Sequence, residues 1–157
     1  VRAGCSVVVA SVMPDRRLTV TLSRGLVVTA ATHVSDVLPN DANGDAFLTA
    51  VLIPGGMPGA THMSTSEHLK MLATTLHHSK RLVGAICASP AVVLGPFGLL
   101  QGCKRATCFP ALKGKLPSNV SWVDRSVHFE NGVLTSQGPA TSFDFALASV
   151  SILLGSN

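Results

Sequence analysis

The stretch RLVGAICASPAVVL, residues 81–94, decides the fold class of this chain. Its first part, Leu82–Ile86, is short, apolar and branched, which is typical of a buried parallel strand. Cys87 follows at once, and residues 88–90 open an apolar helical run whose early proline lies where a missing N–H costs nothing. The pattern predicts a strand-to-helix elbow with a cysteine at its tip.

A cysteine at such an elbow faces the free backbone amides at the start of a helix. Those amides and the helix dipole favour the thiolate over the thiol. The same geometry holds a nucleophile above the sheet in other α/β enzymes. The alternative is an inert structural cysteine, since free cysteine is among the most buried residue types.

Length and composition indicate one globular domain. The chain has 157 residues, 46% hydrophobic and 13% charged, which is enough to bury a sizeable core. Its formal charge is +4, but the basic residues are dispersed and aromatic residues make up only 4%. Specific nucleic-acid binding therefore has little support.

Three further features bear on the environment of the chain. Residues 82–100 are uncharged over a length that fits a membrane span, but glycines and two prolines interrupt them, so we expect no membrane contact. No secretory signal opens the sequence. The four cysteines lack metal-type spacing, so we expect free thiols in the cytoplasm and neither a metal nor another cofactor.

The order of elements predicts an open α/β sandwich with a mostly parallel sheet, because strands and helices alternate. The predicted strands are 5–11, 18–22, 26–29, 47–53, 82–86, 126–129 and 133–135, with turns at 23–25, 39–45 and 130–132 and an irregular segment at 107–116. The predicted helices are 33–38, 67–78, the run after Cys87, and 141–154, the last with Phe145, Ala148 and Ile152 facing inward.

Two glycine-containing loops are expected to lie beside Cys87, because loops at the carboxyl ends of parallel strands form the ligand crevice. Gly55 and Gly56 follow the strand at 47–53. The N–H groups of Gly56 and Ala88 can then form an oxyanion hole, although a plain turn explains the glycines equally well. The loop at 136–142, SQGPATS, lines the same crevice or serves only as a turn and helix cap.

A cysteine nucleophile needs a base. His128 and Glu130 follow Cys87 in the order found in the Cys–His–Glu triad of glutamine amidotransferases. In the predicted hairpin, however, Val127 and Phe129 face inward, so His128 and Glu130 face water. His62 follows Gly56 and is nearer the expected crevice, but a single loop histidine is weak evidence for a base.

Six motifs together carry a resemblance to a known family. They are VRAG (1–4), SRG (23–25), VLIPGG (51–56), AICASP (85–90), FPALKGKLP (109–117) and LTSQGPATSFDFAL (134–147). In this order, and over essentially the whole chain, they resemble the ThiJ/PfpI family. Within it they are most similar to the branch of the Parkinsonism-associated deglycase and its bacterial YajL-like relatives.

The resemblance implies a flavodoxin-like three-layer fold, a homodimer, and a site that works without a cofactor. It implies that Cys87 is the nucleophile, easily oxidised to the sulfinate, and that Gly56 and Ala88 supply amides around its sulfur. It also implies that Arg24 and Arg2 lie near the site and the dimer interface. Gly55, Phe109 and Pro139 are expected to line the substrate site.

Three hypotheses follow, and the activities attributed to the family define the first two. The first is a carbonyl-damage repair enzyme, a protein and nucleotide deglycase or a cofactor-independent glyoxalase acting on methylglyoxal and its adducts. The second is a non-catalytic oxidative-stress sensor or redox-regulated chaperone, switched by oxidation of Cys87. The third is an interaction module of a larger assembly, in which Cys87 is unreactive.

The chain departs from the family pattern at three positions. Phe109 stands where the human-type enzyme has a histidine, and Ala88 stands where protease-like members have one. The catalytic glutamate of the family belongs to a segment that would precede Val1, and VRAG has the pattern of a helix end. We therefore expect one domain over residues 1–157 that lacks the first strand and most of the first helix. A separate N-terminal peptide would complete the sheet and place a carboxylate at Cys87.

Overall fold

The computed structural model describes residues 1–37 and 48–155. It contains ten strands and three α-helices in these ranges, in a mixed α/β arrangement that confirms the predicted class. The strands are β1 (Ala10–Ser11), β2 (Thr19–Thr21), β3 (Val27–Thr29), β4 (Thr32–His33), β5 (Ala50–Ile53), β6 (Leu82–Ile86), β7 (Arg105–Ala106), β8 (Ser121–Trp122), β9 (Val127–Glu130) and β10 (Val133–Ser136). The helices are α1 (Gly59–Ser64), α2 (Glu67–His78) and α3 (Ser142–Leu154).

The central sheet has the strand order β5–β6–β10–β9. β6 pairs in parallel with β5 on one side and with β10 on the other, while β9 and β10 form the predicted antiparallel hairpin. Four of the five residues of β6 are fully buried, as its continuous apolar sequence predicts for a central strand. The carboxyl end of β6 leads directly into Cys87.

The predicted strand at 5–11 is largely wrong. Only Ala10 and Ser11 pair, in parallel with β4, and this pair is separate from the central sheet. Val7, Val8 and Val9 are each more than half exposed. High β-propensity does not make a strand without neighbours for its backbone hydrogen bonds. Among the described residues these valines make only one such bond, from Ala31 N to the Val9 carbonyl at 2.9 Å.

Helix α2 follows the prediction residue for residue. The Ser66 side chain caps its start by accepting a hydrogen bond from Leu69 N at 3.3 Å, and its buried face carries the expected leucines and Ala73. α2 packs against β5 and β6 and also against the turn Val34–Asp36 next to β4. It thereby bridges the central sheet and the β1–β4 pair.

Other helices differ from their predictions. The run after Cys87 contains a π-helical turn, Pro90–Leu94, followed by further turns, rather than a regular α-helix. In α3, Phe145 is buried and Ala148 is half-buried, but Ile152 is exposed, because the buried face runs through Ser149 instead. None of the helices in the described part of the chain is both long and apolar enough to cross a membrane.

The remaining predictions have mixed outcomes. β2 and β3 form the expected antiparallel pair around residues 23–25. The helix at 33–38 reduces to a 3-10 turn, Val34–Asp36, after His33 in β4. Leu38, the turn at 39–45 and Phe47 lie outside the described residues. The irregular segment 107–116 contains a 3-10 helix, Pro110–Lys115.

Candidate active site

Cys87 occupies a strained backbone position at the end of β6. Its φ is 65°, in the left-handed region that residues with a side chain rarely adopt. Two hydrogen bonds hold it there: its N–H donates to Ser136 O at 2.9 Å, and its carbonyl accepts from Phe109 N at 2.8 Å. The side chain is partly exposed. Strain that is fixed by its surroundings is a common feature of functional sites, and it turns this thiol out of the core.

The loop after β5 presses against the elbow. A Cβ placed on Gly55 would lie 2.5 Å from Cys87 Cβ and 3.3 Å from Ala88 N, so only glycine lets the two backbones approach this closely. Gly56 has a φ of +94°, which also favours glycine. Ser89 Oγ donates to the carbonyl of Pro54 and so ties the start of the helical run to the same loop.

This packing brings the expected oxyanion-hole elements to one place. Ala88 N lies against Gly55, and Gly56 is the next residue of the loop. Ala88 is buried at the first position after Cys87. That the amides of Gly56 and Ala88 donate hydrogen bonds to an oxyanion stays a prediction, and the geometry around the elbow is compatible with it.

A shallow depression of about 180 Å³ opens beside the Cys87 sulfur, lined by Phe109, Pro110 and residues 137–141. A Cβ on Gly138 would lie 4.0 Å from Cys87 Sγ and 3.6 Å from the Phe109 ring. Phe109 and Pro139, both expected to line the site, therefore form walls of this depression. The depression is mostly apolar and open to solvent, which suits a small or a surface-attached substrate.

Arg24 belongs to a turn that contacts the Gly55–Gly56 loop through Ser23. It has a φ of 69° within the turn Ser23–Gly25. Ser23 Oγ donates to Met57 O at 3.3 Å and would contact a Cβ on Gly56 at 2.8 Å. The SRG motif thus packs against the loop that the sequence places at the site, whereas Arg2 lies exposed in a turn closed by Gly4 N–H and Val1 O.

The other thiols differ from Cys87 in their surroundings. All four cysteines are free. Cys108 and Cys103 are buried, and burial raises the pKa of each to about 11; charge on Cys87 adds to the shift of Cys108, and charge on Glu130 adds to that of Cys103. Both thiols therefore stay protonated at neutral pH and are poor nucleophiles.

The side chains of His128 and Glu130 do not face water, so that prediction is wrong. The side chain of His128 is only 9% exposed and bonds through Nε2 to Glu130 Oε2 at 3.0 Å, whereas Phe129 is exposed. The Glu130 carboxylate also accepts from the amides of Lys104 and Arg105, both at 3.1 Å. These bonds turn the two polar side chains inward, while Val127 packs against the buried cluster of Leu82, Leu134 and Phe145 as expected.

This pair and His62 are both outside the Cys87 site. No carboxylate or imidazole of residues 1–37 and 48–155 is hydrogen-bonded to the Cys87 sulfur. His62 lies on α1 and lines a separate cavity of about 320 Å³, together with His33 and His68. The structure therefore does not assemble a triad from these residues.

Two residues at the site were not singled out from the sequence. Ser136 supplies the carbonyl that accepts the Cys87 N–H, and Ser89 anchors the loop after β5. Both stand within motifs that were recognised, SQGPATS and AICASP, but their roles depend on contacts between segments far apart in the chain.

Comparison with known proteins gives a consistent result. A model of the DJ-1/PfpI family matches residues 1–152. DJ-1 homolog B of Arabidopsis thaliana is 33% identical over 154 residues, covering 98% of this chain and 33% of that protein. The chain thus spans about a third of the length of this curated relative. The Caenorhabditis elegans protein named glutathione-independent glyoxalase DJR-1.2 is 36% identical over 123 residues, covering 78% of this chain and 63% of that protein.

Solved structures agree on the fold. The oxidized form of Toxoplasma gondii DJ-1 superposes with a TM-score of 0.83 at 37% identity, covering 97% of this chain and 77% of that one. This likeness confirms the flavodoxin-like architecture that the sequence motifs imply.

Proposed function

Because this chain belongs to the DJ-1/PfpI family, we propose that it is a cysteine-dependent enzyme of carbonyl-damage repair. Its substrates would be methylglyoxal and the early adducts of methylglyoxal with thiols and amines. The observation that carries the proposal is the partly exposed Cys87, held at a φ of 65° with the Gly55 loop packed against it. A relative named as a glyoxalase supports the same reaction class.

The chemistry begins with attack of the Cys87 thiolate on the aldehyde carbon. A carbon–sulfur bond forms and the carbonyl electrons move to oxygen, which gives an oxyanion. The amides of Gly56 and Ala88 would stabilise that charge. For methylglyoxal, the hydrogen of the attacked carbon then moves as a proton, through an enediol, to the neighbouring carbonyl carbon, which leaves a lactoyl thioester on Cys87. Water hydrolyses this thioester to lactate and the Cys87 thiol. For an adduct, the thiolate displaces the amine or thiol, which leaves with a proton, and the same two steps follow.

The depression beside Cys87 supports a substrate that is small or attached to a larger surface. Its volume of about 180 Å³ accommodates a three-carbon aldehyde. Because it opens to solvent and Phe109 and Pro139 form an apolar wall, the remainder of a glycated side chain can project outward.

Proton transfer requires a further group, since no described carboxylate or imidazole bonds to the Cys87 sulfur. We propose that a separate N-terminal peptide supplies a carboxylate, held protonated by burial so that it can donate to the thiolate. The exposed Val7–Val9 segment and the outer edge of β5, with which no strand of residues 1–37 and 48–155 pairs, support a docking position beside the sheet. Intact mass of the purified protein under native conditions tests for such a peptide.

The activity is tested by comparing Cys87→Ser with the matched control Cys103→Ser. Both changes replace one sulfur by oxygen, but Cys103 is 4% exposed and bonds to Glu130 O at 3.5 Å, away from the elbow. Lactate formation and removal of methylglyoxal from a glycated peptide should vanish in Cys87→Ser and persist in Cys103→Ser. Equal activity of the two folded variants would refute the proposed nucleophile.

A redox-switched chaperone is the second candidate, and the exposed apolar side chains favour it. Phe143 and Leu147 of α3 are 85% and 65% exposed, and large exposed apolar surface serves to bind other chains. A homodimer, which we also propose from the family resemblance, would cover part of that surface. Suppression of aggregation by the oxidised protein, lost in Cys87→Ser, would support the chaperone, and the solution mass would report the dimer. Four free thiols support a reducing compartment such as the cytoplasm.

A further inference from the structure

A second cysteine lies directly behind the Cys87 elbow. The hydrogen bond from Phe109 N to Cys87 O is 2.8 Å long, and Cys108 is the residue before Phe109. Each Cα lies about 2.4 Å from the bonded atom of its own peptide group, so the Cα atoms of Cys87 and Cys108 are less than about 8 Å apart. Disulfides span Cα separations of about 4.4–6.8 Å. The Cα separation of Cys87 and Cys108 therefore exceeds the range of a disulfide by about 1 Å at most.

We propose that Cys108 is the resolving thiol of Cys87, which closes a Cys87–Cys108 disulfide once peroxide has oxidised Cys87. This redox activity goes beyond the proposed aldehyde chemistry. It rests on the proposed function in one respect, namely that Cys87 is the reactive thiol. The bond would store the oxidation in a reducible form, whereas further oxidation of Cys87 to the sulfinate is irreversible without a dedicated repair enzyme.

Two steps account for all atoms and electrons. In the first, the Cys87 thiolate attacks one oxygen of hydrogen peroxide and the O–O bond breaks, which gives a sulfenic acid and, after proton uptake, water. In the second, the Cys108 sulfur attacks the Cys87 sulfur, the S–O bond breaks, and the leaving hydroxide takes the Cys108 proton to form water. Overall two thiols lose two electrons and peroxide is reduced to two waters.

The surroundings of the two thiols set the order of these steps. Cys87 is partly exposed, whereas Cys108 is fully buried in the core cluster with Ala88 and Ala91. Burial and charge on Cys87 both raise the pKa of Cys108, so its thiol does not compete for peroxide. Because a sulfenic acid is neutral, oxidation of Cys87 removes the charge that opposes ionisation of Cys108.

Neither of the other two cysteines has this relation to Cys87. Cys103 Sγ donates to Glu130 O at 3.5 Å, beside a carboxylate that caps the start of β7. Cys5 lies in the segment before β1, outside the central sheet. Cys108 is also connected to the site through Phe109, so disulfide closure would shift a wall of the depression beside Cys87.

The test uses the full chain, reduced and then exposed to one equivalent of hydrogen peroxide, with Cys108→Ser and the matched control Cys103→Ser. Cys103 and Cys108 are both buried with a pKa raised to about 11, but only Cys108 is followed by a residue that hydrogen-bonds to the Cys87 backbone. Free thiols are alkylated under denaturing conditions, and the peptides are mapped by mass spectrometry. Trypsin cleaves at Arg105 and so places Cys87 and Cys108 on different peptides. In Cys103→Ser the peptide with Cys87 carries no second cysteine, which makes the cross-link unambiguous.

The wild type and Cys103→Ser should yield a Cys87–Cys108 cross-link that dithiothreitol removes. Cys108→Ser should instead accumulate sulfinate at Cys87. Sulfinate as the main product in all three proteins, a cross-link to Cys5 or Cys103, or first oxidation at another cysteine would overturn the inference. Lactate formation by the reduced proteins is measured in parallel. Because the cross-link is detected without reference to this activity, a protein that forms no lactate still tests the disulfide proposal.

Discussion

Substitution of Gly55 by alanine tests how tightly the loop after β5 holds Cys87, the proposed nucleophile. The added Cβ would lie 2.5 Å from Cys87 Cβ, 2.9 Å from Ile86 O and 3.3 Å from Ala88 N. All three atoms belong to the backbone or sit directly on it, so no flexible side chain can move aside. The loop and the elbow must therefore separate.

The contact distances give the size of the effect. Carbon atoms in ordinary contact are about 3.5–4.0 Å apart, so the separation must grow by about 1 Å. Overpacking of this kind costs about 1–3 kcal/mol. For a chain of this length each kcal/mol lowers Tm by about 2–4 °C. A displacement of about 1 Å at a reacting centre can reduce turnover about 10²-fold.

Thermal unfolding, the rate of Cys87 alkylation by iodoacetamide and lactate formation measure the outcome. Gly114→Ala is the matched control, because no heavy atom lies within 4 Å of its Cβ position. Gly55→Ala should have a lower Tm and a lower turnover than Gly114→Ala. The rate at which iodoacetamide alkylates Cys87 should also differ between the two variants. A Gly55→Ala protein with the Tm and turnover of the control would refute the close-approach argument. A lowered Tm with unchanged turnover would show that the contact stabilises the fold without positioning the sulfur.

Three further predictions concern other parts of the molecule. The hydrogen bond with His128 is the main cause that lowers the pKa of Glu130 from its ordinary value of 4.5 to about 2. The ionised carboxylate therefore stabilises the folded state above about pH 5, and this stabilisation declines as pH falls toward 2. Glu130→Gln should flatten the pH dependence of the urea-unfolding free energy in that window, and an unchanged slope would contradict this assignment. Phe109→His should increase lactate formation from methylglyoxal, because general acid–base groups contribute about 10²–10⁴-fold in enzymes; no gain in a folded variant would mean that this position does not limit the reaction. Ser66→Ala should destabilise the chain by about 1 kcal/mol in urea unfolding through loss of the α2 cap, and a loss near zero would argue against that cap.

The elements that were predicted correctly are those whose signal is local and periodic. Helix α2 combines a cap residue with apolar residues at helical spacing, and β6 is a continuous buried run. Helix α1 was missed because its six residues, GATHMS, carry neither an apolar period nor a capping side chain. The π-helical turn after Cys87 has the same apolar composition as an α-helix, so the sequence pattern does not distinguish them.

The errors arise where distant segments decide the outcome. Residues 5–9 have strand composition, but pairing needs a partner that no local pattern specifies. His128 faces inward because it bonds to Glu130, whose carboxylate accepts from the amides of Lys104 and Arg105. These amides are distant in sequence, so the local pattern does not reveal the contact. At the site, the motif order identified Cys87 and its loops, whereas the neighbouring Cys108 became evident only from the Phe109–Cys87 hydrogen bond.

The backbone of Cys87 is fixed by partners that follow it in the chain, Phe109 and Ser136. When the chain is synthesised, both partners are made after the cysteine, and Ser136 comes last. Contacts of high sequence separation form slowly in folding, so the strained elbow is assembled only after β10 has docked onto β6. A nascent or refolding chain therefore carries Cys87 without this backbone geometry, and any reactivity that depends on the elbow emerges late in folding.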